Sequence, residues 1–170
     1  SSVYGNVEQL PTPENHKLNP MSPYALHKLI GEQYCKLFSE LYGLETVCLR
    51  YFNVYGERQP TEGAYCLVMG VFAGQILNGE PMTIRGDGEQ RRDFTYVGDV
   101  VEANIKAGFN AKLLIFPCKG DVFNIGNSDN RSVNQIADMV GRDKNNVNPV
   151  IEPRQTLADN HKAKIIIDWK

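Results

Sequence analysis

The sequence predicts an α/β fold, and three observations carry the prediction. A well-capped amphipathic pattern is followed almost at once by a dense run of β-formers at 46–52. Further short apolar runs then alternate with helical patterns along the chain. At 170 residues the chain is long enough to bury a real core, and it has no run of roughly 18 apolar residues that could cross a bilayer.

Residues up to about Met21 are rich in Pro, Asn and Glu and read as a loop. Ser22 is a good N-cap and Pro23 suits the first helical position. Leu26, Ile30, Tyr34, Leu37, Phe38 and Leu41 recur at helical spacing, and Glu32–Lys36 is an i,i+4 pair in the favourable order. Gly43 is the expected stop. Thr46–Phe52 reads as a buried strand, and 53–63 as a polar loop. A largely apolar helix is expected over Leu67–Leu77, closed by Asn78-Gly79. Met82–Ile84 is a short strand, Gly86-Asp87-Gly88 a turn, and Asp93–Val97 extended. Asp99 is expected to cap a helix containing Val100, Val101, Ala103, Ile105 and Ala107. Val122–Ile125 is another strand. Ser132 and Gln135 form a capping box that opens the next helix. The tail offers a short strand near Val150-Ile151 and a last helix around Lys162–Ile167.

With a net charge of −2 and 22% charged residues, the chain carries no electrostatic footprint for nucleic acid. Cys35, Cys48, Cys66 and Cys118 are scattered, mostly in apolar contexts, so buried packing and a cytoplasmic setting are expected. The histidines His16, His27 and His161 lack ligand spacing, and no metal site is expected. The first residues show no basic or strongly apolar leader and no initiator Met, so the chain is expected to begin mid-protein.

Tyr24 and Lys28 form a Tyr-x-x-x-Lys pair in the first turns of the first helix. Residues four apart share a helix face, where a lysine's charge favours an ionised phenol suited to proton transfer. Alone, the pair is equally an ordinary surface tyrosine and lysine. Its neighbours lend it weight. Ser1-Ser2-Val3-Tyr4-Gly5 precedes it. Arg50-Tyr51-Phe52-Asn53-Val54-Tyr55-Gly56 follows, then Gly86–Phe94, Phe123-Asn124-Ile125-Gly126 and Leu157-Ala158-Asp159. In that order these segments resemble the extended short-chain dehydrogenase/reductase family, specifically its nucleotide-sugar epimerases and dehydratases. The resemblance runs through nearly the whole chain.

It implies the C-terminal part of a Rossmann-like doubly wound sheet interleaved with a small α/β substrate-binding domain. Residues 1–56, with 98–112 and 121–127 returning, would belong to the first; 57–97 and 128–170 would form the second. None of the 15 glycines makes the family's Gly-rich pyrophosphate turn, so the first strands of the nucleotide-binding sheet are expected upstream. The cofactor implied is NAD, needing those upstream residues, and the 170 residues alone are expected to be inactive.

Carried over residue by residue, Tyr24 resembles the catalytic acid/base. It takes the proton of the sugar 4-hydroxyl as hydride passes to NAD, and returns it when hydride is delivered to the other face. Lys28 would hold the nicotinamide ribose, with the backbone of Tyr51 and Phe52 beside the nicotinamide. Ser1, with Ser2 next, is the nearest surviving candidate for the hydroxyl that polarises the reacting oxygen. Dehydratases of the family place Asp and Glu at these two positions, which favours an epimerase here. Asn53 and Arg92 would bind the substrate's diphosphate, Arg91 pointing the other way on extended backbone. Arg85 would flank the ribose or base, a surface role being equally open.

The tail departs from the family. Glu152-Pro153-Arg154 runs straight into Gln155–Asp159, roughly five residues short of the usual loop. Arg154 is thus either the second diphosphate arginine or a later residue. Thr156 matches a position whose size gates a 2-N-acetyl group, and a small residue there admits UDP-N-acetylhexosamines as well as UDP-hexoses. The resemblance also implies a homodimer through the helix carrying Tyr24. Two other readings stay open: another reaction of the same family, such as a dehydration, decarboxylation or reduction, and a non-catalytic fragment that only binds or associates.

Overall fold

The computed structural model describes residues 1–63, 65–109 and 119–169. Cys118 and positions 110–112 of the expected returning segment lie outside the described residues. A short 3-10 turn, Ser2–Tyr4, opens the chain and leads through a loop to α1, Pro23–Tyr42. Then come β1 (Thr46–Tyr51), β2 (Val54–Tyr55), α2 (Val68–Leu77), β3 (Met82–Arg85), β4 (Arg91–Asp93) and β5 (Thr95–Tyr96). The remainder is α3 (Val97–Phe109), β6 (Lys119–Ile125), β7 (Asn130–Ser132), α4 (Val133–Val140), β8 (Lys144–Val147) and α5 (His161–Ile166).

The first core is layered around β1, which pairs in parallel with β6. Period-two alternation sends successive side chains of these strands to opposite faces. Phe123 and Ile125 join Val100 and Ala103 of α3, together with Ala163, Ile167 and Trp169, with Val47 and Leu49 packed against them. Cys48, Arg50 and Asn124 face the other way, toward α1 and the opening segment. The closing helix α5, expected with the second body, thus packs on the layer made by α3 and β6. A second core joins Phe72 of α2, Met82 and Ile84 of β3, and Val133, Ile136 and Ala137 of α4. Around it, β3 pairs in parallel with β8, and β4 antiparallel with β7. Among the described residues, no helix is long and apolar enough to cross a membrane.

Several expected elements shift. The polar loop at 53–63 contains β2, whose partner is β5. The extended run 93–97 divides into the end of β4, β5 and the start of α3. That helix begins at Val97, so Asp99 lies in its first turn and is not its cap. No strand forms at Val150-Ile151; the partner of β3 is β8, a Lys-Asn-Asn-Val segment exposed along its length. Glu32 does not pair with Lys36. It takes Arg50 in a two-bond fork at 2.9 and 2.7 Å, and Lys36 sits 3.9 Å from Glu40.

Candidate active site

Local chemistry places Tyr24. The Ser22 hydroxyl accepts the Ala25 N–H at 3.1 Å, Pro23 opens the first turn, and buried Ala25 seats that turn against the protein. Tyr24, the next residue outward, is 48% exposed and faces a cleft. One turn on, the Lys28 ammonium lies 5.2 Å from the centre of the Tyr24 ring, and the Tyr65 ring approaches to 5.8 Å.

The cleft in front of Tyr24, about 370 Å³, is lined by Ser1 and Ser2, by Tyr51 at the end of β1 with Phe52 and Asn53, by Arg92 of β4, and by Ile151, Glu152 and Thr156 of the tail. A larger cleft of about 640 Å³ shares Asn53, Arg92 and Glu152 and continues along Leu67, Val68 and Val71 to Arg85 and Gln90. Arg154 lies further out, in a hollow of about 290 Å³ with Arg85 and Asp87. The structure therefore gathers Tyr24, Ser1, Asn53, Arg92 and Thr156 at one opening and sets Arg85 and Arg154 beyond it.

Backbone bonds hold the walls. The Phe52 N–H donates to Ile125 and the Thr95 N–H to Asn53, while the main-chain nitrogen of Ser1 donates to the Tyr51 carbonyl at 2.9 Å. The Tyr51 side chain turns to α3, its hydroxyl donating to Asn104 at 2.8 Å. On β4, Arg91 reaches Asn130 through Nε and Nη2, and Arg92 faces the cleft. This is the alternation expected of extended backbone.

Sequence reasoning missed the residue that ties these walls together. Asp93 is fully buried. Its carboxylate accepts three backbone N–H groups: Asn127 at 2.7 Å, Ser128 at 3.0 Å and Ala158 at 2.9 Å. Burial pushes its pKa above the ordinary carboxyl value, and the three donors pull the other way. The Asp93 N–H donates to the Thr156 hydroxyl at 3.2 Å, and the Thr156 N–H donates to the Arg91 carbonyl. Arg92 and Thr156 thus share one support. Gly126 makes room for it, since a Cβ there would lie 2.5 Å from the Ala158 Cβ and 2.9 Å from Asp93 Oδ2. The Arg-Asp-Phe run and the following Asn-Ile-Gly were the available signals.

Both arginines expected to bind phosphate are paired with carboxylates. Arg92 donates to Glu152 at 2.6 Å; Arg154 forms a fork with Asp87, both bonds at 2.8 Å. The Arg154 hydrogen bonds, and then the Glu89 N–H, hold the Asp87 carboxyl at about 2.

Residues 1–126 match the model of the NAD dependent epimerase/dehydratase family. The chain belongs to this family. A similar relative is a putative UDP-glucose 4-epimerase of Methanocaldococcus jannaschii, 45% identical over 139 residues, which are 82% of this chain and 43% of that protein. Among solved structures, the UDP-N-acetylglucosamine 4-epimerase of Methanobrevibacter ruminantium M1, in complex with UDP-N-acetylmuramic acid, superposes with a TM-score of 0.89 at 35% identity. That match covers all of this chain (100%) and 55% of the other. The UDP-glucuronic acid 4-epimerase of Bacillus cereus, solved with UDP-glucuronic acid and NAD, gives 0.84 at 34% identity over 100% of this chain and 54% of that one. The chain spans about half the length of the curated relatives it matches. The epimerase/dehydratase fold thus accounts for the α/β layers.

Proposed function

We propose that this chain carries the acid/base pair and the substrate cleft of an NAD-dependent nucleotide-sugar 4-epimerase acting on a UDP-hexose or UDP-N-acetylhexosamine. The observation that supports this best is the convergence of Tyr24, Asn53, Arg92 and Thr156 on one opening, from four separate stretches of chain. The named activities of its relatives agree with it, and Ser1-Ser2 stands where a dehydratase would need an acidic pair.

The residues present fit the nicotinamide end of NAD: an exposed phenol that shares a cleft with Tyr51 and Phe52, and an ammonium one turn on along the same helix face. The pyrophosphate would be held by residues outside these 170, since no Gly-x-Gly-x-x-Gly stands among them. Bound there, NAD would supply reversible oxidation at the sugar carbon. The Tyr24 oxygen would accept the proton of the sugar hydroxyl and later return it. Lys28 would orient the cofactor's ribose. Asn53 and Arg92 would bind the diphosphate, anchoring a sugar that has to turn over between the two half-reactions. Arg85 would flank the base end of the nucleotide, and Arg154 would serve as a second phosphate arginine once freed from Asp87.

In the full-length protein, Tyr24→Phe is expected to lower epimerase turnover roughly 100- to 10,000-fold with an unchanged melting temperature. Retained turnover would remove Tyr24 from the chemistry. The exposed apolar stripe of α1, described below, is proposed as the surface of a homodimer.

A further inference from the structure

We infer that Glu152 is a built-in competitor for the anion seat of Arg92, and that it sets how tightly the cleft holds a diphosphate. The inference rests on the nucleotide-sugar reading above and goes beyond it to a residue which that reading does not use.

Arg92 is an anion seat by construction. Its side chain is 8% exposed, yet it opens on both clefts. Nη1 donates to the Arg91 carbonyl at 2.9 Å, which fixes the plane of the guanidinium. The neighbouring Nη2 edge faces the cleft, and Glu152 Oε2 accepts from it at 2.6 Å. Carboxylates and phosphates suit the same guanidinium geometry, so a phosphate approaching this Nη2 edge meets the Glu152 carboxylate there.

Glu152 is placed to leave. Its side chain is 35% exposed against the 8% of its partner, and its other contact, Gln90 Nε2, is long at 3.4 Å. Water can solvate the departing carboxylate, which at this exposure is already partly hydrated. The stretch that bears it is pinned at its ends, by the Gly86 N–H on the Val147 carbonyl and the Arg91 N–H on the Arg154 carbonyl. Between these pins Ile151 stands 93% exposed although it borders the cleft. At the far pin, Arg154 is held by Asp87 in an exposed two-bond fork. A diphosphate entering the cleft thus exchanges the Arg92–Glu152 pair for an Arg92–phosphate pair. The displaced carboxylate is a cost subtracted from every phosphate-bearing ligand and from no other.

Titration calorimetry of the purified protein with UDP and with uridine tests this. Glu152→Gln keeps the size and polarity of the side chain and removes its charge. It should tighten UDP about tenfold and leave uridine, which has no phosphate, unchanged. In an Arg92→Met background the same change should bring no gain. UDP affinity that is unchanged or weaker in Glu152→Gln, while UDP still binds the wild type, overturns the role of Glu152 and leaves the nucleotide-sugar reading standing. Equal tightening of uridine overturns it as well. If UDP binds neither protein, the nucleotide-sugar reading itself fails and the inference falls with it.

Discussion

Asp93 shows how one buried side chain can decide the shape of a cleft it does not line. Its two oxygens satisfy three backbone N–H groups from two distant stretches, the turn after β6 and the tail. An asparagine keeps one acceptor and turns an NH2 toward a donor, leaving a buried N–H unpaired. Asp93→Asn should therefore cost about 2–4 kcal/mol, read as a lower urea midpoint at equal slope, and an unchanged midpoint would refute this account. Thr156 is tied to the same support through the Asp93 N–H. Thr156→Tyr should stop turnover of a UDP-N-acetylhexosamine and spare the UDP-hexose; an equal response of the two sugars would rule out the size gate.

At the scale of elements, what could be read locally was read well. The first helix runs from its Ser22 cap to Gly43, which is left-handed at φ 67° and donates its N–H to the Ser39 carbonyl. The box formed by Ser132 and Gln135 closes in both directions at the start of α4. These signals act within one turn, so sequence spacing contains them. Ser22→Ala should cost about 1 kcal/mol and loosen the turn that presents Tyr24; thermal melts with and without the substitution measure it. The short strands were poorly legible. Lys144–Val147 has a single β-former, Val147, and no apolar alternation, and it is a strand because β3 offers it an edge. The start of α3 moved for a similar reason: β5 runs directly into it, and the Asp99 carbonyl is taken by the indole N–H of Trp169.

Across the whole molecule, two features depend on long-range contact. Arg50 links β1 to Glu32 on α1, to the Tyr4 hydroxyl and to the Glu14 carbonyl. Tyr4 passes the chain on to Asn124 of β6. The sequence offered Glu32 to Lys36 instead, because a helical spacing rule cannot weigh a fork that forms across the fold. The second feature is the apolar face of α1. Leu26, Ile30, Tyr34, Leu37, Phe38 and Leu41 are all more than 40% exposed, with Tyr42 extending the stripe, while Ala25 and Ser39 on the opposite face are buried. The periodic pattern was equally compatible with core or interface, and the fold turns it outward. A face of this size is proposed to pair with a second copy. Sedimentation should show a concentration-dependent dimer that Leu37→Glu with Phe38→Glu converts to monomer; a wild-type monomer at all concentrations would exclude the pairing.

By itself the sequence determined the α/β class, the caps of α1 and α4, and the family, because periodicity, capping and motif order are all local or linear properties. The alternation of Arg91 and Arg92 was legible for the same reason. Tertiary structure alone decided that Glu32 belongs to Arg50, that Asp93 holds the cleft walls, and that Glu152 sits on Arg92. Each of these is a contact between segments 18 to 65 residues apart. Bonds of that span form only when packing brings the segments together, so no spacing along the chain announces them.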